Sequence, residues 1–203
     1  MTATSPADLV RAHLHGTAGA LQRTARETAD ALVGAAEIIS GALVAGGKLL
    51  LCGNGGSAAQ CQHLAAEFVN LLDRRRERPG LAAIALTADS AVLSATANDR
   101  GFAEVFARQI EALGRPGDVL LALSTSGNSP SIVRALAAAK ARQLVTILLT
   151  GETPGAASAH AMLTIRVPSP DTQHIQETHL ALGHALVAVL EGAAFGNSPQ
   201  VGT

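Results

Sequence analysis

Apolar residues recur along this chain in two alternating patterns. Short apolar runs of five or six residues are typical of strands that are buried on both faces of a sheet. Such runs cover residues 48–53, 82–86, 119–124, 145–150 and 162–167. Helical spacing covers residues 57–69, 102–113, 130–142 and 172–191. This alternation predicts an α/β fold with a doubly wound, five-stranded parallel sheet flanked by helices.

The N-terminal part of the chain predicts one or two helices over residues 6–46, apolar on more than one face. Its most apolar stretch, residues 31–46, is interrupted by Glu37 and is shorter than the roughly 20 residues of a membrane span, so we predict a buried helix. We divide the chain into an N-terminal helical segment 1–46, a main domain 47–195 and a frayed tail 196–203. The helical segment requires packing partners.

Composition removes several classes of function. Aromatic residues make up 2% of the 203 positions, without Trp or Tyr, so base-stacking platforms for single-stranded nucleic acid are missing. The net charge of −1 favours neither nucleic acid nor an anionic membrane as a partner. Asp8, Arg11 and His13 interrupt the N-terminal apolar turns, unlike a signal peptide, so we expect a cytoplasmic location. Cys52 and Cys61 fit no metal or disulfide spacing and are expected to be buried thiols.

Two turns rich in glycine and hydroxyl groups each follow a predicted strand and precede a predicted helix. The first is GNGGS at residues 53–57, and the second is STSGNS at residues 124–129. Backbone N–H groups and hydroxyls at a helix N-terminus form an anion site. Either turn taken alone is as well explained by a helix cap, at Ser57 or Ser129. Together the two turns favour a sugar phosphate.

A dinucleotide site is a competing interpretation of the first turn. Gly53, Gly55 and Ala58 satisfy the loose G-x-G-x-x-A pattern, and Asp73 lies twenty positions after Gly53. In that motif the acidic residue ends the second strand, whereas here the second predicted strand begins after Asp73. The STSGNS turn would also be left unexplained, so we disfavour this interpretation.

Histidines and carboxylates form the third feature. His63 and Glu67 lie at positions i and i+4, on one face of the helix that GNGGS begins. Near the other end of the chain, residues 171–184 (DTQHIQETHLALGH) contain Gln176, His179 and His184. A histidine and a carboxylate at this spacing are compatible with a metal site or with a solvated pair, and spacing alone does not decide.

Taken together, these motifs resemble the phosphoheptose isomerases, which are enzymes with a sugar-isomerase (SIS) domain. The matching features are GNGGS followed by His63 and Glu67, Ala97-Asn98-Asp99, STSGNS, VPSPDT, and IQE-x-H-x(4)-H. The resemblance covers about residues 25–195. It implies conversion of D-sedoheptulose 7-phosphate into D-glycero-D-manno-heptose 7-phosphate. It also implies a homotetramer with a central bundle of N-terminal helices and active sites between subunits.

The resemblance also implies roles for individual residues. It places the zinc ligands at His63, Glu67, Gln176 and His184. Substrate contacts fall on Asn54, Gly55, Gly56, Ser57, Glu67, Asn98, Asp99, Ser124, Thr125, Ser126, Ser129 and Gln176. Glu67 corresponds to the catalytic base and His184 to the acid. Gln176 and His184 are eight positions apart, about 12 Å along an ideal helix, so both reach one ion only by leaning together or from different subunits.

One position departs from the family. Leu71 stands eight positions after His63, where the resembled enzymes have an arginine that can meet substrate. The loop before Arg78-Pro79-Gly80 is also about two residues longer and contains Arg74, Arg75 and Arg76. This segment is either a solvated basic loop or a replacement for the missing charge. Our hypothesis is that Arg74, which is nearest the helix end, takes over.

Two other functions remain open from the sequence. One is isomerisation of a different sugar phosphate, which the change at Leu71 would explain. The other is a non-catalytic SIS-domain regulator that binds the replication initiator. Such regulators lack the acid at the position of Glu67 and the histidine at that of His184, and this chain has both.

Overall fold

A computed structural model describes residues 5–75 and 77–195, and it contains the predicted five-stranded parallel sheet. The strands are β1 Leu49–Gly53, β2 Ala83–Ala85, β3 Val119–Ser124, β4 Val145–Thr150 and β5 Leu163–Arg166. Their order in the sheet is β2-β1-β3-β4-β5. All five predicted strands are therefore confirmed, with the edge strands β2 and β5 shorter than expected. The predicted tail 196–203 lies outside the described residues.

Six α-helices accompany the sheet in the described ranges. They are α1 Pro6–Val44, α2 Gly56–Val69, α3 Ser90–Arg100, α4 Ala107–Leu113, α5 Pro130–Ala141 and α6 Thr172–Phe195. Short 3-10 turns cover Phe102–Glu104 and Ala156–His160. No helix within the described segments combines the length and apolarity needed to cross a bilayer.

Helices cover both faces of the sheet, because successive side chains of a strand point to opposite sides. Leu49 and Leu51 of β1 pack in one core with residues of α1, α2 and α6. Leu50 and Cys52 of the same strand pack in a second core with residues of α4 and α5. The doubly wound prediction is confirmed, and so is the expectation that both cysteines are buried free thiols. Burial raises the pKa of both thiols.

The N-terminal segment forms one continuous helix, α1, which is about 58 Å long at 1.5 Å per residue. Ser5 caps it by accepting a hydrogen bond from the backbone N–H of Asp8. One stripe, including Ala35, Ala36 and Ile39, is buried in the core. Other apolar side chains are exposed, including Leu9, Val10, Leu14, Leu21, Val33 and Val44. In a single chain six of residues 31–46 are exposed and four are buried, so the prediction that this segment is buried is wrong for its exposed positions.

Two further differences concern the segment between β2 and β3. Helix α3 was not predicted, since only Thr96 of this helix is buried and the apolar pattern is weak. The helix predicted over residues 102–113 is instead a 3-10 turn followed by α4, which begins at Ala107. Gly101, with φ +88°, separates α3 from that turn.

His179 of α6 makes stability depend on pH. Its ring is completely buried, and burial lowers its pKa from 6.5 to about 4, although a hydrogen bond to the Thr150 carbonyl opposes this. The unfolded chain binds the proton below pH 6.5 and the folded chain only near pH 4. This residue's contribution is therefore complete above pH 6.5, and about 3 kcal/mol of it is lost as the pH falls towards 4.

We expect His179→Gln to reduce the acid sensitivity of folding between pH 6.5 and 4 by most of that amount. Urea unfolding at fixed protein concentration and several pH values measures it. His15→Gln, which changes an exposed histidine of α1, is the matched control. Equal acid slopes for wild type and His179→Gln would contradict the assignment.

Candidate active site

The GNGGS and STSGNS turns lie side by side at the carboxyl edge of the sheet. β1 ends at Gly53 and pairs with β3 through Leu123, so the two turns leave adjacent strands. In the order β2-β1-β3-β4-β5 the chain changes direction between β1 and β3. Ligands of open α/β sheets bind at such a switch point.

A side-chain bridge joins the two turns. The Asn54 amide nitrogen donates hydrogen bonds to the hydroxyls of Ser129 (2.8 Å) and Ser131 (2.9 Å). The side-chain oxygen of Asn54, Oδ1, is buried without a hydrogen-bond partner among the described residues. Ser131 was not predicted as a site residue, because a serine after the helix-starting Pro130 carries no signal of its own.

Neither turn is explained by side-chain capping. Helix α2 begins at Gly56, and Ser57 is buried one position inside it, so the cap expected at Ser57 is wrong. Ser129 occupies the N-cap position of α5, but its side chain makes no capping hydrogen bond and accepts from Asn54 instead. The Ser129 hydroxyl thus joins the two turns through Asn54, and it does not cap its own helix.

The STSGNS turn presents hydroxyl donors. Ser124 Oγ accepts a hydrogen bond from the N–H of Gly127 (3.1 Å), and Ser126 Oγ accepts from the N–H of Asn128 (3.2 Å). A hydroxyl that accepts a backbone N–H still has its own proton to donate. Gly127 has φ +62°, and a Cβ there would lie 2.1 Å from the Pro154 carbonyl oxygen. Only glycine therefore allows this turn to pack against the loop that follows β4.

The backbone of the turn is anchored in the same region. Gly151 donates its N–H to the Thr125 carbonyl at 3.1 Å, which links the turn to the end of β4. Asn128 Oδ1 accepts from the Ala156 N–H at 2.9 Å. The turn is therefore fixed before any ligand arrives.

Three candidate metal ligands meet in one chain. His63 Nε2 lies 3.0 Å from Glu67 Oε1 and 2.9 Å from His184 Nε2, and His184 Nε2 lies 3.3 Å from Glu67 Oε1. His63 and Glu67 belong to α2, and His184 belongs to α6. We call this group of three atoms the ligand triangle. Spacing along the sequence groups only His63 with Glu67, because the approach of His184 depends on how α6 packs against α2.

The ligand triangle fits a cation. A carboxylate only accepts hydrogen bonds, and each imidazole Nε2 carries at most one proton. The three atoms therefore share at most two hydrogen bonds, and one of the three short distances in the ligand triangle is left without one. Three atoms that bind a tetrahedral zinc ion at about 2.0–2.1 Å lie roughly 3.3 Å apart. Glu67 Oε2 is buried without a hydrogen-bond partner among the described residues. Within the described part of the chain this is the group of histidines and acidic residues that could hold a metal.

Gln176 lies beside the first turn. A Cβ on Gly56 would lie 2.8 Å from Gln176 Oε1, so the glycine lets the amide approach the backbone of the turn. The Gln176 carbonyl accepts from Gln60 Nε2 at 2.6 Å, which ties the start of α6 to α2. The Gln176 amide thus lies against the GNGGS turn, which is predicted to bind substrate. That Gln176 also binds the metal stays a prediction.

The next feature is the predicted substrate-binding pair Asn98 and Asp99. Both are exposed at the end of α3, where the Asn98 amide donates to Asp99 Oδ1 at 2.8 Å. No side-chain hydrogen bond in the described ranges links them to either turn. Among the described residues, the side-chain hydrogen bonds of the two turns, the ligand triangle and Gln176 therefore do not include this pair.

The loop after α2 carries the departure from the family. Leu71 is half-buried and lines an open cavity of about 520 Å³ with neighbours that include Asn70, Glu77 and Pro79. Arg74 is exposed, and Arg75 pairs with Asp73 at 3.0 Å, while Arg76 lies outside the described residues. That Arg74 takes over the role of the arginine that Leu71 replaces stays a prediction.

Comparison with known proteins identifies the class to which this sheet and these turns belong. Residues 13–151 match the family model described as the SIS domain. A phosphoheptose isomerase from Roseiflexus sp. (strain RS-1) is 48% identical over 174 residues, covering 86% of this chain and 87% of the relative. One from Aromatoleum aromaticum is 51% identical over 172 residues, covering 83% and 86%.

Solved structures agree with the sequence matches. A phosphoheptose isomerase from Neisseria gonorrhoeae superposes with a TM-score of 0.87 at 40% identity, covering 93% of this chain and all of that chain. One from Francisella tularensis gives 0.88 at 35% identity, covering 92% and 98%. The chain therefore belongs to the phosphoheptose isomerase family of SIS-domain proteins.

Proposed function

We propose that this isomerase converts D-sedoheptulose 7-phosphate into D-glycero-D-manno-heptose 7-phosphate. The observation that carries the proposal is the convergence of Glu67, His63 and His184 in a chain 48% identical to a phosphoheptose isomerase over 86% of its length. The two adjacent hydroxyl-rich turns support a sugar phosphate as the substrate. The regulator interpretation is disfavoured, because Glu67 and His184 are both present and lie within contact of each other.

The chemistry requires a proton to move between two adjacent carbons. A base removes a proton from C1 of the ketose and returns it to C2, while an acid protonates the C2 oxygen and the C1 hydroxyl gives up its proton. Glu67 is the proposed base, with Oε1 in the ligand triangle and Oε2 as the second carboxylate oxygen. His184 is the proposed acid; its Nε2 belongs to the triangle, which leaves Nδ1 to carry a proton.

Metal binding fits the same residues. His63, Glu67 and His184 would hold zinc, with Gln176 as the proposed fourth ligand. Bound zinc would act as a Lewis acid on the carbonyl and hydroxyl oxygens of the substrate. Donors fixed before the reaction stabilise the charge that develops on those oxygens, and the amide nitrogen of Gln176, beside Gly56, is the proposed donor.

The assembly is also part of the proposal. An apolar stripe on α1 that includes Leu9, Val10 and Leu14 is exposed, which supports a homotetramer with the N-terminal helices at its centre. In such an assembly Asn98 and Asp99, which in the described ranges make no side-chain hydrogen bond to the turns of their own chain, would complete the site of a neighbouring subunit. A cytoplasmic location stays a prediction.

The decisive experiment is incubation of the purified protein with sedoheptulose 7-phosphate and detection of the aldose product by NMR. Fructose 6-phosphate serves as the control ketose. Absence of turnover with both sugars would contradict the function. Turnover of another sugar phosphate in place of the heptose would favour the second candidate, for which the half-buried Leu71 is the specific observation.

We expect about one zinc ion per subunit in protein purified without chelators, because the ligand triangle offers two imidazoles and a carboxylate. Elemental analysis measures the content. His63→Ala should lose the metal, while His13→Ala, which changes a histidine paired with Glu177 at 2.7 Å, should keep it. Metal-free protein whose activity does not respond to added zinc would contradict the assignment.

We expect Ser124→Ala and Ser126→Ala to raise KM for the sugar phosphate more than they lower kcat. Their hydroxyls would contact the phosphate equally in the ground state and the transition state, and loss of such a contact changes KM. Ser90→Ala, at the exposed start of α3, is the control. Unchanged KM in both variants would place the phosphate elsewhere.

A further inference from the structure

A buried ion pair joins the two helices that carry the ligand triangle. Arg78 Nε lies 2.8 Å from Glu191 Oε1, and the two side chains are 0% and 2% exposed. Arg78 comes from the loop after α2, and Glu191 belongs to α6. Neither residue has a place in the proposed chemistry.

The rest of the guanidinium group binds the end of α2. Arg78 Nη2 donates to the Glu67 carbonyl at 2.7 Å, and Nη1 donates to the Phe68 carbonyl at 2.9 Å. The last carbonyls of a helix lack intrahelical partners and carry partial negative charge, which a cation stabilises. Arg78 therefore fixes the backbone of Glu67, the residue whose carboxylate is one corner of the ligand triangle.

The other end of the pair fixes α6. Glu191 lies seven positions after His184, which is two helical turns along the same face. Its Oε1 accepts from the Leu72 N–H at 3.1 Å as well as from Arg78. A chain of direct contacts thus runs from the Glu67 backbone through the guanidinium to the helix that carries His184.

Stability alone gives a poor account of this arrangement. A buried ion pair adds little folding free energy compared with apolar side chains of similar volume, because the cost of removing both charges from water offsets their attraction. What a buried guanidinium provides, when its three nitrogens each bind a different group, is a fixed geometry between the groups that it joins. Here it joins the backbone of Glu67 to α6, the helix of His184, and both residues are proposed metal ligands.

We infer that Arg78 and Glu191 are positioning residues, which hold α2 and α6 at the separation that brings Glu67 and His184 within metal-binding distance. This inference rests on the proposed function, since the ligand triangle is the proposed metal site. The pair acts through the backbone of Glu67 and through α6, and it touches neither substrate nor metal.

The test replaces the pair by apolar residues. Arg78→Met/Glu191→Leu should fold, since apolar replacement of a buried pair is often neutral for stability. We expect its zinc affinity to fall by about 10–100-fold, with a similar loss of kcat and little change of KM. A competition titration with a chelator measures affinity, and the visible spectrum of the Co²⁺-loaded protein reports the ligand geometry.

A second variant covers the case in which the double variant does not fold. Arg78→Lys keeps the charge beside Glu191 but lacks the fork that reaches both carbonyls, so we expect the same loss of metal affinity in a folded protein. Arg108→Lys is the control, because it changes an exposed arginine that pairs with Glu111 at 3.2 Å.

The outcomes separate the inference from the proposed function. Wild-type metal affinity, Co²⁺ spectrum and kcat in folded Arg78→Lys or in the folded double variant would overturn the inference alone. A wild-type protein that neither binds zinc nor isomerises the sugar would overturn the proposed function first.

Discussion

Replacement of Glu67 by glutamine should lower kcat by about 10²-fold or more, which is the usual range for loss of a general base. The carboxylate lies 3.0 Å and 3.3 Å from the two histidine nitrogens of the ligand triangle. An amide of the same shape cannot take a proton from C1 of the substrate, and it is a weaker metal ligand. Steady-state kinetics with sedoheptulose 7-phosphate measures the loss.

The control for this change is Glu111→Gln, which removes an exposed carboxylate of α4. Glu111→Gln should behave as wild type, since an exposed ion pair contributes little to the stability of the fold. Circular dichroism and sedimentation should show that Glu67→Gln keeps its fold and its assembly. Wild-type-like turnover in the folded Glu67→Gln variant would reject the role of base.

Replacement of His184 by alanine should lower kcat by a similar factor, again about 10²-fold or more. The change removes the proposed acid, and it also removes a corner of the ligand triangle, 2.9 Å from His63 Nε2. We therefore expect weaker zinc binding together with the loss of kcat. Added imidazole should restore part of the activity, because it can occupy the space that the side chain leaves.

His15→Ala is the control for His184, since it changes an exposed histidine of α1. Metal content should be measured beside kcat in both variants. Loss of metal with full turnover would show that the metal is not needed for the reaction. Wild-type turnover would reject the role of His184 as the acid.

The fold was largely predictable because its strands are buried on both faces. A run such as Leu49–Gly53 has no exposed position, so it is recognisable without its partners. Helix α3 was harder, since only Thr96 is buried and the apolar spacing that marks a helix is missing. The extent to which residues 31–46 are covered depends on what packs against α1, and sequence periodicity does not contain this information.

The site was predictable where its contacts are local. His63 and Glu67 are one helical turn apart, and their distance of 3.0 Å follows from that spacing. The approach of His184 required the resemblance, because 121 positions separate it from His63. Arg78 and Glu191 are 113 positions apart and belong to no motif, so their contact is visible only in the three-dimensional structure.

The long separation in sequence between α2 and α6 has a consequence for synthesis of the protein. His63 and Glu67 leave the ribosome early, but His184 and Glu191 follow more than a hundred positions later. Domains begin to fold from their N-terminal parts during translation, so the sheet can start to form while the site still lacks one side. The proposed ligand triangle can thus be completed only after α6 has emerged from the ribosome, because a shorter nascent chain lacks His184.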